Sequence, residues 1–199
     1  MRTILNPIAV AVLLCATQGN VSVAGQDQSS GARQLVTPPP GFSDSCRRYS
    51  WFCERGPEGR LSQADLMDAA RRINRQVNRA VREMSDFANY GSIDRWSLPT
   101  NGNGDCEDFV LEKFRLLLAA GADSRDLSIA IALDRHGDNH AVLVLHHDDG
   151  DMILDNLEGA VRPWNQTSYR YLAMQARDDK REWEVVAHQP RDRMVLAER

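Results

Sequence analysis

Gly102-Asn103-Gly104-Asp105-Cys106-Glu107-Asp108-Phe109-Val110 is the stretch on which the reading of the fold turns. Its two glycines break the chain, Asp105 can serve as a helix cap with Asp108 at the third helical position, and Phe109, Val110, Phe114, Leu117 and Leu118 mark an apolar stripe up to Gly121. Cys106 therefore opens a helix. Downstream the pattern changes to strands over 127–133, 140–146 and 152–157, separated by turn-rich 134–139 and 147–151, with Asp149-Gly150 as a hairpin signal. Further strands are expected over 169–174 and 183–186. Upstream, Ser62 and Asp65 resemble a capping box, and Leu66, Ala70, Ile73, Val77, Val81, Met84 and Phe87 predict one long amphipathic helix ending near Gly91.

The N-terminal part does not read as part of a folded domain. Arg2, the mostly apolar run 4–16 and the small residues through Ser22-Val23-Ala24 read as a secretion signal over 1–24. An uncleaved anchor is the alternative, although the run falls short of the ~20 apolar residues that span a bilayer. Residues 25–40, rich in Gln, Ser, Gly and Pro, read as a flexible linker, and one domain follows over 41–199. No later segment reads as a membrane span. Net charge is −4 with basic and acidic residues interleaved, which disfavours nucleic acid as a partner.

Removing the signal leaves Cys46, Cys53 and Cys106, an odd number. In an oxidising compartment the neighbouring Cys46 and Cys53 would close a small disulfide loop, which leaves Cys106 free. A free thiol is either a buried core residue or an employed one. The start of a helix favours the thiolate through unpaired N–H groups and the helix dipole, whereas Asp105, Glu107 and Asp108 oppose it unless paired or bound to a cation.

A thiol nucleophile needs an imidazole and an acceptor that orients it. Of five histidines, His140 begins the apolar strand Ala141-Val142-Leu143-Val144-Leu145, which would hold it rigidly. If the hairpin loop that follows holds an even number of residues, His140 shares a face with Ile153, Asp155 and Leu157, and Asp155 is the carboxylate among them. Asp155 could otherwise be a turn former beside Asn156.

Nucleophile at a helix start, then His and Asp on adjacent strands, is the order of transglutaminase-like enzymes. Gly104-Asp105-Cys106-Glu107-Asp108-Phe109, His140-Ala141-Val142-Leu143, Leu154-Asp155-Asn156 and Pro163-Trp164 followed by Tyr169 resemble the bacterial transglutaminase-like cysteine proteinases, as do Gly41-Phe42, Cys46 and Cys53. The resemblance implies an α+β, papain-like and transglutaminase-like fold, with a helix-borne cysteine packed on an antiparallel sheet. It further implies a Cys106, His140 and Asp155 triad, residence in the periplasm or secretion, and a protein substrate such as a surface adhesin. In that family the acidic residues flanking the nucleophile bind calcium, which points here to Asp105 and Glu107; the chemistry itself requires no cofactor. The expected reaction is peptide hydrolysis through a thioester at Cys106. Transglutaminase-type acyl transfer to an amine uses the same triad, and a non-catalytic, calcium-responsive periplasmic binding module would keep the fold without the reaction. A zinc site at Cys106 lacks any CxxC or HExxH spacing.

Overall fold

The computed structural model describes residues 33–56 and 58–186; the expected signal over 1–24, the linker up to 32 and the tail 187–199 lie outside them. Within the segment expected to be a linker, β1 (Leu35–Val36) pairs antiparallel with the last strand, Leu35 opposite Glu184 and Val36 opposite Trp183. A backbone ladder orders this short stretch although its composition buries little apolar surface.

The helix α1 (Phe42–Arg48) starts at Gly41, whose φ of 75° and closeness to the Asp94 carbonyl exclude a side chain, since a Cβ would lie 1.9 Å from that oxygen. Phe42 then inserts edge-on among Phe52, Trp96 and Trp183, with ring centroids 5.5, 5.6 and 5.1 Å away. Cys46 and Cys53 are joined by a disulfide that ties α1 to the following turn. So short a loop restricts the unfolded chain modestly, and reduction is expected to cost about 2–3 kcal/mol. Denaturant titrations with and without reductant check this.

Ser62 accepts from the Asp65 N–H and starts α2 (Gln63–Ala80), which buries Leu66, Met67, Ala70, Ile73 and Val77. The single helix expected up to Gly91 ends instead at Ala80. Val81 turns extended, β2 (Arg82–Glu83) pairs in parallel with β3 (Asn103–Gly104), and Ser85 caps a separate short helix, α3 (Asp86–Tyr90), closed by Gly91 at φ 68°. A new cap and a backbone ladder outweigh an apolar period that had already lapsed, for Phe87 is 71% exposed.

The helix α4 (Cys106–Ala120) buries Phe109, Val110, Leu111, Phe114 and Leu117 and ends at Gly121 in the left-handed region. Five of the strands that follow, β4 (Leu127–Leu133), β5 (Asn139–His147), β6 (Gly150–Leu154), β7 (Arg162–Pro163) and β8 (Arg170–Gln175), join β9 (Trp183–Val185) and β1 in one antiparallel sheet ordered β1-β9-β8-β4-β5-β6-β7. Alternation along the strands splits the sheet into two faces. Ile129, Ala141, Leu143, Leu145 and Leu154 join the helical core, whereas Ala130, Ala132, Val142, Val144, Ile153 and Tyr171 form a second cluster. Among the described residues no helix is long and apolar enough to cross a membrane.

Candidate active site

The start of α4 is held by a tight approach. A Cβ on Gly104 would lie 2.6 Å from that of Asp108, so only glycine lets β3 run so close to the first turn. Asp105 occupies the cap position, but its side chain makes no cap bond to its own helix. Its Oδ2 accepts instead from the Asp86 N–H at 3.1 Å, and Asp108 Oδ1 accepts from the Ser97 N–H at 2.7 Å. The two carboxylates expected to cap the helix thus staple 86–97 against it.

Cys106 is half-buried in the first turn, and its S–H donates to Glu107 Oε2 at 3.2 Å while the Ala141 N–H points at the sulfur. Burial and then the Glu107 charge push its thiol well above the ordinary range. Across the cleft, the β5–β6 register from His147 opposite Gly150 to Leu143 opposite Leu154 pairs odd with even numbers, so His140 and Asp155 share a face as parity required. His140 Nε2 lies 2.9 Å from Asp155 Oδ1, both side chains being buried. The other carboxylate oxygen accepts from the Tyr169 hydroxyl, and Oδ1 also accepts from the Leu157 N–H at 3.0 Å. Burial alone would raise Asp155, but the hydrogen bonds from His140 and Tyr169 outweigh it and hold the carboxyl below its usual range.

Cys106, His140 and Asp155 line one cleft of about 1150 Å³, together with Trp96, Asn156 and Tyr169. The carboxylate and imidazole are joined directly. The sulfur is bonded to Glu107 and to the backbone beside His140 rather than to the ring. With Nε2 committed to Asp155, Nδ1 is the ring nitrogen left for a thiol.

Beside the sulfur, Asp86, Asp105 and Glu107 bring carboxylate oxygens within 4.8 Å of one another. Burial, then the Asp105 charge, raises Glu107 to about 8; burial, then the Asp86 charge, raises Asp105. Asp108 is likewise raised to about 8, by burial first. Buried Asp86 Oδ1 and Asp105 Oδ1 have no hydrogen-bond partner. Sequence reasoning singled out Asp105 and Glu107 but missed Asp86, whose sole local signal is its place after the capping Ser85. It also gave Tyr169 no role, because that contact crosses from β6 to the segment before β8.

A second series joins Ser128 Oγ to His146 Nε2 at 3.0 Å and His146 Nδ1 to Asp151 Oδ1 at 2.7 Å. Ser128 is fully buried and is also approached by Lys180 Nζ at 3.4 Å, so this series holds the far end of β5 and offers no nucleophile to a substrate.

The profile of the bacterial transglutaminase-like cysteine proteinases matches residues 32–191. No curated protein sequence matches the chain. Among solved structures, Legionella pneumophila LapG aligns with a TM-score of 0.51 at 21% identity over 68% of this chain and 82% of its own. The structure described as calcium-bound Legionella pneumophila LapG aligns with a TM-score of 0.50 at 20% identity over 69% of this chain and 87% of its own. At these identities the likeness is one of fold, and it bears out the expected packing of a helix-borne cysteine on an antiparallel sheet.

Proposed function

The chain belongs to the bacterial transglutaminase-like cysteine proteinases, and is thus a cysteine peptidase acting on protein; on that premise we propose that it is an exported enzyme using Cys106, His140 and Asp155. The observation that carries this reading is the His140–Asp155 pair, bonded through Nε2, facing the cleft that Cys106 also lines. Cys106 passes its proton to His140 Nδ1 and attacks the scissile carbonyl, while unpaired N–H groups of the first helical turn stabilise the oxyanion. Asp155 fixes the ring and stabilises the imidazolium. His140 gives the proton to the leaving amine, the thioester remains on Cys106, and water activated by His140 releases the acid.

The cluster of Asp86, Asp105 and Glu107 fits a hard cation, since it concentrates desolvated carboxylates with two unpartnered oxygens. Calcium, the ion named for the Legionella pneumophila LapG structure, would supply there the positive charge that these side chains withhold from the sulfur. In calcium-free protein Glu107 and Asp108 stay protonated up to about pH 8, against ordinary values of 4.5 and 3.8. The folded chain then holds more protons than the unfolded one between those limits, so stability falls as pH rises through that window. Calcium is expected to raise Tm more at pH 8 than at pH 5. Melting curves in calcium and in EGTA check this, and equal Tm values at pH 8 would contradict it.

Secretion through a signal over 1–24, a folded unit following a linker, and action on a surface adhesin complete the proposal. Surface-retained and released proteins are to be compared between a wild-type strain and a Cys106→Ala strain, and purified enzyme is to be offered a labelled amine. Release of a fragment by the wild type alone supports the peptidase; amine incorporation without release would replace hydrolysis with acyl transfer.

A further inference from the structure

Among the described residues, the large apolar side chains left exposed are Leu35, Phe87, Ile93, Leu157 and Leu172. Leu157 and Leu172 line the cleft that holds Cys106 and His140, whereas Leu35, Phe87 and Ile93 lie outside it. Leu157 belongs to the turn that follows Asp155. Leu172 stands instead inside a strand, β8, which has β4 on one side and β9 on the other. A leucine exposed in the body of a sheet and opening on a catalytic cleft is apolar surface that a ligand can still remove from water.

The strand register explains how Leu172 comes to face that cleft. Tyr171 stands opposite Ala132 and Ala173 opposite Ile131, so β8 carries one residue more than β4 at this point, and Leu172 is the bulge. Its carbonyl is held from the other side by the Val186 N–H at 3.0 Å. Strict alternation would send Tyr171 and Met174 to opposite faces. The extra residue lets both pack with the second cluster, and leaves two successive side chains, Leu172 and Ala173, on the face that carries Ile131 and Ala141. Across that face Ala173 is paired with Ile131, and Ile131 with Ala141, the residue after His140. All four side chains line the cleft. From Ala141 to Ala173 the row crosses two strand spacings, about 10 Å, which an extended polypeptide covers in about three residues.

We propose that Leu172 is a specificity-determining residue: with Ala173, Ile131 and Ala141 it forms an apolar track across the sheet, which takes an apolar side chain of the polypeptide substrate about three residues from the scissile bond. The inference rests on the peptidase reading above and adds the chemistry of the sequence which that site prefers. None of these four side chains can donate or accept a hydrogen bond. A charged or amide side chain laid along the track would therefore lose water without gaining a partner, whereas an apolar one gains by covering Leu172.

The probe is a proteome-derived peptide mixture, digested with calcium present by full-length wild type, Cys106→Ala, Leu172→Ala, Leu172→Glu and Leu35→Ala, with the newly formed ends sequenced by mass spectrometry. Wild type should enrich Leu, Ile, Val, Met or Phe about three residues to one side of the cleaved bond. Leu172→Ala should lower kcat/KM about ten-fold for a synthetic peptide with Leu at that position, and should hardly change it for the same peptide with Ala there. Leu172→Glu should replace the apolar preference with one for Lys or Arg. Leu35→Ala, which truncates an exposed leucine outside the cleft, should keep the wild-type preference, and all four variants should keep the wild-type Tm. No apolar enrichment near the cleaved bond, an unchanged preference in Leu172→Ala, an equal loss on both synthetic peptides, or a rise in rate from uncovering a groove that the chain itself fills overturns the inference. If wild type cleaves nothing, or Cys106→Ala cleaves as wild type does, the peptidase reading falls and this inference with it; if Cys106→Ala is inactive while Leu172→Ala keeps the wild-type preference, this inference alone falls.

Discussion

Cys106→Ala is expected to lower peptidase turnover on the order of 10⁴-fold or more while leaving the fold and Tm essentially intact. The size follows from the role proposed for the sulfur. Without it no thioester forms, and the N–H groups of the first turn can only polarise a bound carbonyl. The fold survives because Cys106 is half-buried at a helix start, outside the disulfide that joins Cys46 to Cys53. The variant gives up only the weak S–H bond to Glu107, so a large loss of Tm would point to a structural cysteine instead. Turnover of any peptide the wild type cleaves supplies the assay.

Asp155→Asn is expected to reduce kcat by about 10³ to 10⁴-fold with a much smaller effect on KM. The carboxylate accepts from His140, Tyr169 and the Leu157 N–H at once. An amide keeps one accepting oxygen, and its NH₂ faces either the Tyr169 hydroxyl or both the His140 ring and the Leu157 N–H; the second arrangement disfavours the ring tautomer that leaves Nδ1 ready to take the thiol proton, and either one removes the charge that stabilises the imidazolium. The depressed Asp155 pKa gives a pH signature as well. Burial opposes the charged form, the His140 and Tyr169 bonds overcome it, and the folded value lies below the usual carboxylate one. Its contribution to stability is therefore present above the ordinary carboxylate pKa and is lost only as pH falls through the lower folded value. Asp155→Asn should flatten that acid limb of the Tm profile, and an unchanged limb would mean that the pair contributes nothing to folding.

Much of the candidate site was legible because it rests on short-range rules. A glycine break, a cap position and an apolar stripe place Cys106 at the start of α4, and strand parity across the Asp148-Asp149 turn brings His140 and Asp155 to one face. What stayed hidden depends on contacts between distant segments. Asp105 keeps its cap position but turns its carboxylate to Asp86, because the β2–β3 ladder brings α3 against the start of α4. That same ladder broke the long helix that apolar periodicity favoured. Tyr169 reaches Asp155 from a segment whose placement no local pattern reveals. The linker reading likewise weighed side-chain composition, whereas β1 is held by backbone bonds to β9.

If the imidazole of His140 and the thiol of Cys106 act as one unit, alkylation kinetics reveal it without knowledge of the substrate. Iodoacetamide rate constants at Cys106 are to be measured against pH, with calcium, in wild type and His140→Ala, with the adduct mapped by peptide mass spectrometry. Wild type should be alkylated rapidly well below the pKa of an ordinary thiol, and His140→Ala should fall back to the slow, alkaline profile of an isolated one. Superimposable profiles in the two proteins would contradict it.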